Sequence, residues 1–123
     1  IEELTAKVPG LHWQRRGKET TASSWYLLLG RIDIDGEGMD RNRFCAELQE
    51  RQVPCTPFYP HTLYQNPMYV RGGCRVTPCP VAEASIRDSF WLPHRVLMGD
   101  DETTDAVAQS IVQAAQAACL SQQ

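Results

Sequence analysis

Two short segments of this sequence place side chains capable of chemistry beside elements that can display them. Phe58-Tyr59-Pro60-His61-Thr62-Leu63-Tyr64 sets a histidine between two tyrosines. Trp91-Leu92-Pro93-His94-Arg95 puts a histidine and an arginine directly after an apolar stretch. Histidine titrates near neutrality, and arginine holds carboxylates or phosphates through paired hydrogen bonds. Tyrosines add phenolic donors and acceptors on flat walls. Tyr59, His61, Tyr64, His94 and Arg95 are therefore the candidate substrate-binding residues. The plainer reading of a His-Arg pair after a strand is a solvated surface pair.

Other chemistries find less support. His61, His94 and the thiols have no metal-ligand spacing within a turn, so no metal site is expected. There is no G-x-S-x-G, and neither Gly36-Glu37-Gly38 nor Gly72-Gly73 has the pattern of a phosphate cradle opening a helix. The sequence holds two lysines, Lys7 and Lys18, one in the opening segment and one in a polar loop. A lysine that forms a Schiff base at neutral pH needs a desolvated pocket or a neighbouring cation. Neither sits in an apolar context, so no catalytic or cofactor-binding residue is expected on this chain.

The chain has 123 residues and a formal net charge of −3, with its arginines scattered. One hydrophobic core is the expectation at this size, and nucleic-acid binding lacks its basic stripe. No apolar run approaches the roughly 20 residues that span a bilayer, so no membrane partner is expected. Five cysteines, Cys45, Cys55, Cys74, Cys79 and Cys119, cannot all pair with one another, and none has C-x-x-C spacing. They read as reduced thiols of a cytoplasmic protein.

The positioning elements follow from pattern. Ile1 to Lys7 reads as the last turns of a helix that begins upstream, stopped at Pro9-Gly10. Arg15 to Ser24 is a loop, and Ser24 to Ile34 a strand buried on both sides at its start. Asp35 to Gly38 is turn chemistry. Asp40 caps a helix from Arg41 to about Arg51, with Phe44, Cys45 and Leu48 inward and Arg41, Arg43, Glu47 and Glu50 towards water. That helix ends at Gln52, where a left-handed residue, commonly glycine, is expected. Val53 to Phe58 is a short extended strand. Tyr59 to Cys79 is an irregular, aromatic-rich loop whose length argues for function. Pro80 opens a helix through Asp88, and Phe90 to Leu92 is a buried strand. Asp100 or Asp101 caps a final helix with a Val107, Ile111, Ala114, Ala118 stripe. The result is one α+β domain, a small mixed sheet with helices on one face. If Val53–Phe58 and Phe90–Leu92 run in the same direction, their exits bring His61 and His94 to one end, within about 15 Å across a ligand-sized cleft.

Four segments in order resemble the C-terminal part of the DegT/DnrJ/StrS family of pyridoxal-phosphate (PLP) aminotransferases, fold type I. They are I-E-E-L-T-A-K-V-P-G-L, S-S-W-Y-L-L-L-G-R-I-D-I, D-R-N-R-F-C-A-E-L-Q-E-R-Q-V-P-C-T-P-F-Y-P with L-Y-Q-N-P-M-Y, and F-W-L-P-H-R-V-L with its following helix. The resemblance implies a homodimer that transfers an amino group to a keto-sugar or keto-cyclitol. It implies a PLP-anchoring N-terminal domain as partner, and a C-terminal domain that closes over the small-molecule substrate. Members often read H-Y-P-x-P-L-H where this chain reads F-Y-P-H-T-L-Y: Tyr59 and Pro60 match, Phe58 and Tyr64 replace histidines, and Thr62 replaces proline. Leu92-Pro93-His94-Arg95-Val96-Leu97 resembles the branch that makes aminocyclitols and aminohydroxybenzoate precursors, which leans towards antibiotic-type secondary metabolism. A stand-alone α+β ligand-binding or oligomerisation module is the alternative for the same elements.

Overall fold

The computed structural model describes residues 1–73 and 75–119, with Glu37 described by its backbone alone. Its elements run β1 (Leu11–Trp13), β2 (Leu27–Ile32), α1 (Ile34–Glu37), α2 (Arg41–Glu50) and β3 (Thr56–Pro57). A 3-10 turn (Leu63–Gln65), α3 (Pro67–Arg71), α4 (Pro80–Asp88), β4 (Ser89–Pro93), a second 3-10 turn (His94–Leu97) and α5 (Asp101–Cys119) follow.

The strands form one sheet in the order β1-β2-β4-β3, antiparallel at every pairing. The α+β class is as expected, but the sheet is antiparallel where a mixed one was anticipated. The reason lies in the crossover through α2. Both β2 and β3 oppose β4, so they run parallel to each other, yet β4 is inserted between them and no parallel ladder forms.

Alternation decides which face holds the core. Leu28 and Ile32 of β2, Phe90 and Leu92 of β4 and Leu11 of β1 are buried. Against them lie Phe44, Cys45 and Leu48 of α2 and Val107, Ile111, Ala114 and Ala118 of α5. Leu27, Leu29 and Trp91 alternate onto the opposite face and are half-buried. Phe90 is the centre of the core, its ring 5.0 Å from Phe44 and 5.7 Å from Trp13. Gly30 leaves room for it: a Cβ there would stand 2.3 Å from the Phe90 ring.

Helix ends account for much of the local order. Asp40 accepts from Arg43 N at 2.7 Å, and Asp100 accepts from Thr103 N at 2.9 Å. At the end of α2, Gln52 N donates to Gln49 O and Val53 N to Leu48 O, both at 2.9 Å. Gln52 has φ +61° and Val53 is buried beside Leu48, the full Schellman arrangement.

Four further details differ from the sequence reading. Residues 1–10 are successive turns, with Thr5 N bonded to Ile1 O, and no helix is assigned there. Leu11–Trp13 is an edge strand that three residues of alternation were too short to announce. Asp35 to Glu37 belongs to a one-turn helix capped by Asp33 and ended by Gly38 at φ 63°. Arg41 does not simply face water: its guanidinium donates to the carbonyls of Ile86 and Ser89, tying α2 to the junction of α4 and β4.

Candidate functional site

The direction of β3 governs where the candidate residues go. Thr56 pairs with Trp91 and Pro57 with Phe90, and Phe58 N bonds to Ser89 O at 2.9 Å. The chain therefore leaves β3 beside the start of β4, whereas His94 and Arg95 leave its end. Five residue steps from Ser89 to His94 at about 3.4 Å each separate the two exits by roughly 17 Å. The two strand exits, expected to meet at one end of the sheet, therefore lie at opposite ends of β4. Their meeting required parallel strands, and the pairing is antiparallel.

At the first exit, Phe58, Tyr59 and Trp91 form an aromatic trio. Their ring centroids are 5.1 to 5.4 Å apart in edge-on geometry, the arrangement ring quadrupoles favour. Tyr59 is 60 % exposed, so the trio presents a wall to solvent. His61 follows it, half-buried. Beyond, the segment expected as an irregular loop contains the 3-10 turn and α3, because Asn66 caps and Pro67 starts that helix. Thr62 N donates to Gln65 Oε1 at 3.1 Å. Thr62 Oγ1 is buried and has no hydrogen-bond partner among the described residues. Leu63, Met68 and Val70 project outward. Tyr64 is committed elsewhere: its hydroxyl donates to Glu83 and accepts from Cys79 N at 3.0 Å. That pair of bonds fastens the excursion to the start of α4.

At the second exit, His94 is exposed and its ring lies parallel to Tyr26, centroids 6.3 Å apart. The backbone explains the pairing, since His94 N bonds to Tyr26 O at 3.2 Å as an extension of the β2–β4 ladder. Tyr26 is 74 % exposed. Trp25 beside it has φ +48°, an uncommon conformation for a bulky side chain, and Arg16 lies 5.3 Å over its ring. Arg95 turns towards the other flank, bordering a surface groove with Gln52, Val53, Pro54, Cys55 and Thr56.

Tyr59 and His61 thus follow the exit of β3, and His94 and Arg95 share one turn at the exit of β4, at the other end of that strand. Phe58, Trp91, Tyr26 and Trp25 were missed as site candidates. The S-W-Y run opening β2 carried the signal for the last two, aromatic residues where a strand begins. Lys7 and Lys18 are both exposed, and Lys7 borders an open apolar groove of about 650 Å³ against α5 with Leu4, Val8 and Val112. Among the described residues no group of three His, Cys, Asp or Glu side chains can hold a metal ion, and no helix is long and apolar enough to cross a membrane.

A four-stranded antiparallel sheet with a crossover helix and a long C-terminal helix on one face, and aromatic residues at the strand exits, defines a small α+β domain. Residues 1–112 match the DegT/DnrJ/EryC1/StrS aminotransferase family, and the chain belongs to it. Members of this family are PLP-dependent aminotransferases. Three solved structures share the fold. A 3-amino-5-hydroxybenzoic acid (AHBA) synthase superposes with a TM-score of 0.81 at 24 % identity, over 95 % of this chain and 32 % of its own. The aminotransferase TlmJ from Streptoalloteichus hindustanus gives 0.73 at 20 % identity, over 94 % and 29 %. DesI, solved in the presence of its TDP-sugar product, gives 0.72 at 22 % identity, over 93 % and 28 %. The chain spans about a third of the length of these enzymes. No curated protein matches it significantly.

Proposed function

We propose that this chain is the C-terminal domain of a PLP-dependent aminotransferase that passes an amino group to a keto-sugar or keto-cyclitol in amino-sugar or secondary-metabolite biosynthesis. In this reading an N-terminal domain of the same enzyme anchors the cofactor, the enzyme is a cytoplasmic homodimer, and the isolated chain is inactive. The observation that carries it is the family match over residues 1–112 of a chain spanning a third of its structural relatives.

When bound, PLP supplies the electron sink that lets an amino group move between donor and acceptor. Lys7 and Lys18 are exposed, whereas an anchoring lysine needs a desolvated pocket. This supports placing the anchor on the other domain. The work left to this chain is binding and orientation. Tyr59, backed by Phe58 and Trp91, forms a flat apolar wall with His61 beside it. At the exit of β4, His94 on Tyr26 offers an imidazole on one flank and Arg95 a cation on the other, to a carboxylate or hydroxyl-rich acceptor. Tyr64 positions the first surface through Glu83 and Cys79. Because the two exits lie at opposite ends of β4, the groups at them serve either different parts of a large acceptor or two sites of the dimer. The Leu92-Pro93-His94-Arg95 sequence favours a cyclitol-type acceptor.

The test has two parts. The isolated chain mixed with PLP is expected to show only the free cofactor's absorbance. In the full-length enzyme, Lys7→Ala and Lys18→Ala keep the bound-cofactor band, while Tyr59→Ala and Arg95→Ala raise KM for the keto acceptor and spare that for the amino donor. A cofactor band on the isolated chain that disappears with either lysine variant overturns the proposal.

A further inference from the structure

The core between α2 and β3 holds a pair of groups that the aminotransferase reading does not use. Cys45, one turn from Arg41, and Cys55, just before β3, are both buried, and their sulfurs are 3.3 Å apart. Each behaves in the core as a small apolar side chain, but two thiols in contact can also be joined.

We infer that Cys45 and Cys55 form an oxidisable dithiol, a modification site that a peroxide converts to a disulfide fastening the end of α2 to β3. The inference goes beyond the transaminase reading and does not rest on it. Three features of the surroundings support it. First, the sulfurs must approach by little more than 1 Å to reach bonding distance, about 2.05 Å, and both sit on side chains with one rotatable bond to the sulfur. Second, the Cys55 thiol donates its hydrogen bond to Cys45. That bond lowers the pKa of Cys45 against the opposing effect of burial and raises that of Cys55. Third, the surface groove bordered by Gln52, Val53, Pro54 and Arg95 reaches Cys55, giving a water-sized oxidant an approach to the Cys55 side of the pair.

The chemistry balances with the peroxide as sole oxidant. One of the two thiolates attacks a peroxide oxygen, the O–O bond breaks, and with a proton one water leaves, giving a sulfenic acid at that cysteine. The other sulfur then attacks it, the S–O bond breaks, and the departing hydroxide takes up the second thiol's proton as a second water. Two thiols and one hydrogen peroxide become one disulfide and two waters.

The bond closes a short loop that contains the left-handed Gln52 and Pro54. β3 is two residues long and lies at the sheet edge, so the cross-link fixes a weakly held strand and, through it, the Phe58–Tyr59 wall. Hydrogen peroxide titrated into the full chain, followed by alkylation, digestion and mass spectrometry, tests this. The expected result is a Cys45–Cys55 cross-linked peptide, lighter by two hydrogens and reversed by dithiothreitol. The midpoint of thermal unfolding should rise on the order of 5–10 °C for a loop this short. Cys55→Ala and Cys55→Ser should both abolish the cross-link, and either variant suffices if the other folds poorly. Peptides in which Cys45 and Cys55 both remain alkylatable thiols while exposed Cys79 is oxidised would overturn the inference, as would a cross-link of either residue to a different cysteine.

Discussion

Replacing Gln52 with glycine should make the domain more stable, by an amount that the end of α2 allows to be worked out. Gln52 sits at φ +61°, a region that costs an L-residue roughly 1–2 kcal/mol because Cβ crowds the following carbonyl. Glycine removes that strain. Its greater freedom in the unfolded chain takes back about 0.4–1 kcal/mol. The side chain is exposed, so no packing is lost. The two bonds that stop the helix, Gln52 N to Gln49 O and Val53 N to Leu48 O, are backbone bonds that glycine keeps. The net gain is about 0.5–1 kcal/mol, a rise of about 2–5 °C in unfolding midpoint for a chain of this size. Urea denaturation followed by circular dichroism should show a higher midpoint with an unchanged m-value. Gln52→Ala is the control: it removes the side chain and keeps the strain, so its midpoint should stay near that of the parent. If glycine destabilises, or gains no more than alanine, the helix does not end in a left-handed residue.

The remaining expectations concern the core, the last helix and the aromatic excursion. Gly30→Ala drives a methyl into the Phe90 ring and should cost about 1–3 kcal/mol as overpacking, measured by the same denaturation. Asp100 is held below the usual carboxylate range by the Thr103 hydroxyl and then by its N–H. Its contribution is therefore fully present above the unfolded aspartate value near 4 and lost as pH falls through the lower folded value. Asp100→Ala should unfold at a lower temperature than the parent at pH 7, the two converging in strong acid. Tyr64→Phe removes the bonds to Glu83 and Cys79, and should speed trypsin cleavage at Arg71 and Arg75 with little change in global stability. Unaltered cleavage would mean that the excursion is held by other contacts.

Local signals in the sequence carried α2, α4 and α5 and their starts. Asp40, Pro80 and the Val107–Ala118 stripe act through neighbours a turn away, so their roles are readable from spacing alone. The left-handed Gln52 was legible for the same reason, as the residue where an amphipathic run stops. What the sequence leaves unwritten is long-range pairing. Nothing within Val53–Phe58 or Phe90–Leu92 states whether the two run parallel, and that single choice puts their exits at opposite ends of β4. Leu11–Trp13 is a strand because Leu11 meets Ile32 and Trp13 meets Gly30 across the sheet, not because three residues alternate. Arg41 looks solvated on a helical wheel, since the carbonyls that receive it belong to residues 45 and 48 positions later. Asn66-Pro67 caps and starts α3, but those five helical residues lie inside a stretch dominated by aromatic and glycine content, which reads as irregular.

The family assignment makes its strongest demand on the full-length enzyme loaded with PLP and followed by visible absorbance. Adding L-glutamate or L-glutamine without an acceptor should convert the bound cofactor to its amino form, bleaching the band. A keto-cyclitol or keto-sugar should then restore the band and appear as the amino product by mass spectrometry. A bound-cofactor band that neither amino donor changes, at any acceptor concentration, would contradict the proposed transamination.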